Sequence, residues 1–132
     1  MATMLAHIKI RDGAEQKWEE IMKFLVDNTL EHESEVVRYE YWKGSEPNHW
    51  YGLLSFTSKE AFFVHQDADY HRSPDFDACI EEMKLEFVDP VQTASPLAPT
   101  ENQPLREDAP DGLKEWENIT PVQMADWWLG RQ

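Results

Sequence analysis

From Thr57 to Val91 the chain reads TSKEAFFVHQDADYHRSPDFDACIEEMKLEFVDPV, and no other stretch narrows the fold as much. Thr57-Ser-Lys-Glu60 is a capping-box pattern, in which the Thr hydroxyl and Glu carboxylate satisfy two backbone donors left over at a helix start. It predicts a short helix whose apolar residues are Ala61, Phe62 and Val64. Further on, Phe76, Ile80, Met83 and Phe87 recur at i, i+4, i+7 and i+11, one face of a helix. That spacing predicts a second helix over Pro74 to Glu86, with Ser73 as N-cap and Pro74 at the first helical position, where its missing N–H costs nothing. His65 and His71 flank the irregular acidic segment between the two. A last strand is expected from about Leu85 to Thr93, at an edge or a bulge because Pro90 cannot donate to a ladder.

Upstream, Met4, Ala6, Ile8 and Ile10 alternate with Leu5, His7 and Lys9 as a strand with one apolar face. Asp12 and Glu15 form a weaker capping-box variant before a stripe of Trp18, Ile21, Met22, Leu25 and Thr29, which predicts a helix to about Leu30. Glu35 to Trp42 and Trp50 to Phe56 are rich in aromatic and β-branched residues. The turn chemistry of Lys43-Gly-Ser-Glu-Pro-Asn48 joins them as an antiparallel hairpin. The resulting order, β-α-β-β-α-α-β, is the α+β split βαβ or ferredoxin-like sheet with helices on one face.

Residues 1–94 therefore read as one domain and 95–132 as an extension. Five of the eight prolines lie between Pro96 and Pro121, as in an extended arm. Apolar residues return at Trp116, Ile119, Val122, Met124, Trp127, Trp128 and Leu129, with a short helix expected over Pro121 to Leu129. Exposed tryptophans are a liability, so the arm is expected to dock, on its own domain or across a dimer.

The formal charge of −14, from 26 acidic and 12 basic residues, argues against nucleic acid and anionic membranes as partners. The acids are dispersed, as on a solvated surface. Cys79 is the single cysteine, so no internal disulfide forms, and its place beside Phe76 and Ile80 suits a buried structural thiol. Nothing near Met1 has the apolar run of a signal peptide or membrane span, so a cytoplasmic location is the expectation. There is no phosphate-binding glycine loop, nucleophile elbow or dinucleotide fingerprint.

The segment Ser55-Phe-Thr-Ser-Lys-Glu-Ala61, closing a strand and opening a helix, and the following pair His65 and His71 carry a resemblance. From roughly Met4 to Thr93 the chain resembles the antibiotic biosynthesis monooxygenase family, small proteins whose ferredoxin-like sheets form a dimeric α/β barrel. Some members oxidise phenols, anthrones or quinols with O₂ and neither metal nor flavin. The resemblance thus implies a homodimer, no cofactor, and a small electron-rich aromatic as substrate. A homodimer also follows from the bulky residues Leu5, Tyr39, Tyr41 and Leu53 on both strand faces.

Such chemistry needs a base near neutral pH, donors for an oxyanion and a dry aromatic cavity. His65 or His71 suits the base, since imidazole titrates nearest neutrality. Tyr39, Tyr41, Trp50 and Tyr70 suit the donors, with Tyr70 grouped with the histidines as catalytic. Trp42, Phe56, Phe62, Phe63 and Phe76 suit the pocket walls. Each has a plainer rival: a histidine capping a helix end, or an aromatic filling a core. A metal held by His65, Asp67, Asp69 and His71 is a lesser reading, since no ligand set is fixed on a rigid element. A haem-degrading branch of the same superfamily uses a first-strand Asn, a Trp ending the third strand and a last-helix His. None of these stands at the matching positions here. Non-catalytic ligand binding, and a lyase or isomerase in the same pocket, are the alternatives; His7 and His49 are expected on a sheet face and His32 at a solvated helix end.

Overall fold

Strand β1 (Ala2–Ile10) is the spine of the computed structural model, which describes residues 1–120, 122 and 123. After it come α1 (Glu15–His32), β2 (Val36–Lys43), β3 (His49–Phe56), α2 (Lys59–Asp67), the single turn α3 (Asp69–Arg72), β4 (Ile80–Phe87), α4 (Asp111–Ile119) and β5 (Val122–Gln123). The sheet order is β2-β3-β1-β4-β5. The first four strands are antiparallel, a ferredoxin-like α+β fold, and β5 adds in parallel to the β4 edge.

The alternation in β1 decides which face is covered. Ala2, Met4, Ala6, Ile8 and Ile10 are buried, and the first four lie opposite Phe56, Leu54, Gly52 and Trp50 of β3 in turn. On the other side Met4, Ala6 and Ile8 meet Phe87, Leu85 and Met83 of β4. Onto this inner face α1 lays the stripe read from sequence: Trp18, Ile21, Met22, Leu25 and Thr29 are its buried residues. Each large apolar side chain so buried stabilises the fold by about 1.5–3 kcal/mol relative to exposure. The hairpin β2–β3 forms as expected, and Asn48 adopts a left-handed φ of 64° in its turn. The outer face carries Leu5, His7, Trp42, Tyr51 and Leu53, with Trp42 59% exposed.

Residues 74–86 depart from the expectation. They hold no long helix, and the second helical element of this region is α3, a turn that ends before Ser73. Ile80–Phe87 is a strand. Within it Met83, Leu85 and Phe87 alternate with Glu82, Lys84 and Glu86, so the strand period was present under the helical one. The open edge of β1 gives this segment a ladder of hydrogen bonds and an apolar face, and tertiary pairing outweighs the helix propensity of its Glu, Lys and Met residues. The final strand therefore lies earlier than Leu85–Thr93, and Pro90 falls beyond it. Ser73 bonds back to the Tyr70 carbonyl (3.1 Å), and buried Cys79 sits in the turn before β4, where its carbonyl accepts from Arg11 N–H (2.8 Å).

Two caps also differ. Ser58, one residue after Thr57, caps α2 by accepting from the Ala61 N–H at 3.0 Å. Thr57 bonds Glu35, and Glu60 pairs with Arg106. At α1 no side chain caps the start: Asp12 accepts from Asn48 (2.6 Å) and Glu15 pairs with Lys43.

Beyond residue 94 the chain returns to its own domain. Buried Thr100 donates to the Val88 carbonyl (2.6 Å), and Ala109 and Leu113 are buried. The helix of this region is α4, and Val122–Gln123 are extended where a helix from Pro121 was expected. The rest of that expected helix, with Trp127 and Trp128, lies outside the described residues.

Candidate functional site

Between the inner sheet face, α1, α2 and α4 lies a cavity of about 770 Å³. Six of the sequence-predicted residues line it: Tyr39 and Tyr41 from β2, Phe62 and His65 from α2, His71 from α3 and Phe76 from the loop before β4. Gly52 of β3 makes room for Tyr41, since a Cβ there would stand 3.0 Å from a Tyr41 ring carbon.

His65 is held most firmly. It is 1% exposed, and its Nδ1 lies 2.9 Å from Glu33 Oε1. A carboxylate only accepts, so Nδ1 carries the proton and Nε2 is left with the lone pair. Tyr70 donates its hydroxyl to the same Glu33 oxygen. Glu33 is the C-cap of α1, where a carboxylate opposes the negative end of the helix dipole. Its side chain is 12% exposed, and two donors from α2 and α3 offset that unfavourable placement. Burial first, then the hydrogen bond to Glu33 and the repulsion its carboxylate would exert on a phenolate, push the Tyr70 hydroxyl above its ordinary range, so it stays a neutral donor.

The second histidine behaves differently. The His71 ring lies 4.6 Å from that of His65, nearly edge to face, and packs against Phe76 at 5.6 Å. Burial, and then the repulsion that a protonated His65 would exert beside it, push its pKa down to about 3, so it is neutral at ordinary pH. Across the cavity the Tyr39 and Tyr41 hydroxyls are 3.0 Å apart. Burial raises both, Tyr39 with a further push from Tyr41 and Tyr41 to about 12 against the lowering effect of the Tyr39 bond. Of the two phenolic protons one serves the mutual bond, which leaves the other to donate to a bound oxygen. Tyr39 also stacks edge-on against His65 at 4.8 Å, tying the phenol pair to that imidazole.

Tyr70, Trp50 and Phe56 stand outside the cavity wall. Tyr70 reaches the site through Glu33, Trp50 closes the far end of the sheet with Lys43 Nζ 5.6 Å from its ring, and Phe56 is core beneath Phe62 and His65. Phe63 is core as well, and Trp42 is on the outer face. His7 and His49 lie on strands β1 and β3, and His32 bonds the Asn28 carbonyl at the end of α1. The metal reading loses its ligands: Asp69 has a side chain 98% exposed and pairs with Arg72, and Asp67 accepts from Trp116 Nε1. Among the described residues no group of three or more His, Cys, Asp or Glu side chains converges on a metal position. Nor, among them, is any helix long and apolar enough to cross a membrane.

Three contributors escaped sequence reasoning. Glu33 drew no expectation of its own beside His32, which read as a solvated helix end, although an acid at a helix C-terminus is itself a signal of an unseen donor. Trp18 was recognised only as core, and it also walls the cavity; Trp116 of the arm does the same.

A family model described as antibiotic biosynthesis monooxygenase matches residues 1–75. The chain belongs to that family. No curated protein sequence is similar enough to count as a relative. Among solved structures, one described as an antibiotic biosynthesis monooxygenase is 18% identical, with a TM-score of 0.62, over 69% of this chain and 99% of its own. A Pseudomonas aeruginosa protein is 17% identical (TM-score 0.61) over 68% of this chain and 93% of its own. A Caulobacter crescentus protein is also 17% identical (TM-score 0.63) over 69% and 90% respectively. These likenesses establish the monooxygenase-like fold. Each neighbour is matched nearly end to end by about two thirds of this family member, which carries additional chain.

Proposed function

We propose that this monooxygenase-family protein oxidises a small electron-rich aromatic of the phenol, quinol or anthrone type with O₂, using His65 as the base. The supporting observation is His65 in the cavity wall with Glu33 bonded behind it. Glu33 fixes the tautomer that offers Nε2 and stabilises the imidazolium formed when His65 takes the substrate proton. The spare Tyr39/Tyr41 proton faces the charge that develops on the substrate oxygen. For an anthrone-type methylene the balance closes without an external reductant. His65 removes one C–H proton, the carbanion's electrons pass to O₂, a C–O bond forms, and loss of water leaves a carbonyl. One oxygen atom ends in the product and one in water.

The test is oxygen consumption by the metal-free protein on a panel of dihydroxyaromatics and anthrones, with His65→Ala and His71→Ala beside the wild type. Uptake abolished by His65→Ala supports the reading, and no uptake across the panel overturns it. The same base also suits a lyase or isomerase, which needs only proton transfer. Deuterium exchange into a substrate without oxygen uptake would favour that second reading.

We also propose that a second copy covers the outer sheet face, where Leu5, Trp42, Tyr51 and Leu53 lie together. A monomeric sedimentation mass at micromolar concentration would overturn this.

A further inference from the structure

We propose that α4 is a wall of the substrate cavity and that Trp116 on it sets the size of the aromatic the cavity admits. This rests on reading the cavity as the substrate site. The arm is fastened to α2, the helix that carries His65, at both of its ends. In the first turn of α2, Lys59 pairs with Glu117 at 2.6 Å and with Asn102 at 3.0 Å, and Glu60 receives Arg106 in a two-pronged bond. In the last turn, Asp67 Oδ1 accepts from Trp116 Nε1 at 3.1 Å. Lys59 has a side chain only 13% exposed, so its bonds are shielded from solvent screening. Buried Leu113, one turn before Trp116, anchors the same face of α4.

The chemistry of Trp116 follows from where its one donor goes. The indole N–H is spent on Asp67, so toward the cavity the side chain offers hydrocarbon and π surface. Trp116 therefore selects by shape and stacking, opposite Trp18, Phe62 and Phe76 of the domain. Ile119 and Thr120 extend the same wall. The approach of α4 is close: a Cβ on Gly112 would stand 3.2 Å from the Asp67 carboxylate, so a larger residue there crowds the acceptor on which Trp116 is seated. The wall comes from the arm, outside the 1–75 span that the family model matches.

The test uses two fluorescent phenols of different size, 2-naphthol and 1-hydroxypyrene, bound to the full chain under nitrogen and read by probe anisotropy. The wild type is expected to favour 2-naphthol. In Trp116→Ala the ratio of affinities should move toward 1-hydroxypyrene by about tenfold, the scale on which apolar pockets discriminate by size. Gly112→Val, which keeps Trp116 and crowds the Asp67 carboxylate that seats it, should move it the same way. An unchanged ratio in both variants, or equal weakening of both probes, would overturn the wall. Because no oxygen is present, a shifted ratio in a protein that shows no oxygen uptake would leave the wall standing and remove the oxygenase reading alone. A wild type that binds neither probe would overturn both.

Discussion

Two of the histidine–glutamate pairs among the described residues have nearly equal lengths and opposite surroundings. His65 and Glu33 meet at 2.9 Å with side chains 2% and 12% exposed; His7 and Glu86 meet at 3.0 Å with side chains 38% and 32% exposed. In the first pair the carboxylate has a second donor, Tyr70, and the imidazole is packed among Tyr39, Phe56 and His71. In the second, His7 leans on Tyr51 at the open sheet face and Glu86 is shared with Lys84. Water screens the outer pair and leaves each partner an alternative. Around the inner pair the surroundings are apolar, so each partner depends on the other. Pair geometry alone therefore does not distinguish a buried, oriented imidazole from surface decoration; burial and the third partner do.

The largest expected effect tests the inner pair. Glu33→Gln removes the carboxylate charge and allows an amide N–H to stand opposite Nδ1, so the His65 tautomer is no longer fixed, and kcat should fall by roughly 10²- to 10⁴-fold with KM changed far less. Steady-state oxygen uptake checks this, and an equal loss in KM and kcat would make Glu33 a structural residue only. Next is the pH dependence of stability. His71 titrates near 3 in the folded chain and near 6.5 when free, so between those values the unfolded state binds the extra proton. Its contribution is complete above about 6.5 and is lost as pH falls toward 3, with a slope of at most ~1.4 kcal/mol per pH unit. Urea titrations of the wild type and His71→Gln across this window should converge at low pH, and parallel curves would contradict it. Smaller again is Tyr70→Phe, which takes one of two donors from Glu33 and should cost about 1–2 kcal/mol of stability. If Tyr70 acts through Glu33, the variant should also shift the pH profile of oxygen uptake, a readout that loss of packing alone would not move.

The same contrast explains what the sequence made legible. The α1 stripe, the alternation of β1 and the β2–β3 hairpin were readable because each has one dominant period and one buried face. Ile80–Phe87 carried two periods at once, and the choice between them lay with β1, dozens of residues away. His65 and His71 were readable as histidines in a loop-and-helix setting. Glu33, the partner of His65, was not, since it sits at the end of another helix and nothing local marks an acid as buried. Trp116 was readable as apolar and in need of cover, although its destination depended on Lys59, Glu60 and Asp67, acids and bases that look like ordinary surface until the arm is folded back.

The smallest expected effect belongs to the outer pair, and its size measures the environment of the open sheet face. The hydrogen bond from His7 is the main reason the Glu86 carboxyl lies below its ordinary value. A carboxylate lowered in the folded state contributes stability above its free pKa and loses it as pH falls through the folded one. With both side chains about one third exposed, Glu86→Gln should change the unfolding free energy by under about 1 kcal/mol at neutral pH. That figure assumes water over the pair. A second copy laid on Leu5, Tyr51 and Trp42 would exclude that water, and removing one member of a buried pair costs about 3–5 kcal/mol. Guanidinium unfolding of Glu86→Gln at several protein concentrations therefore separates the cases. A small loss independent of concentration belongs to an open face, and a large loss that shrinks as protein is diluted belongs to a face closed by a partner.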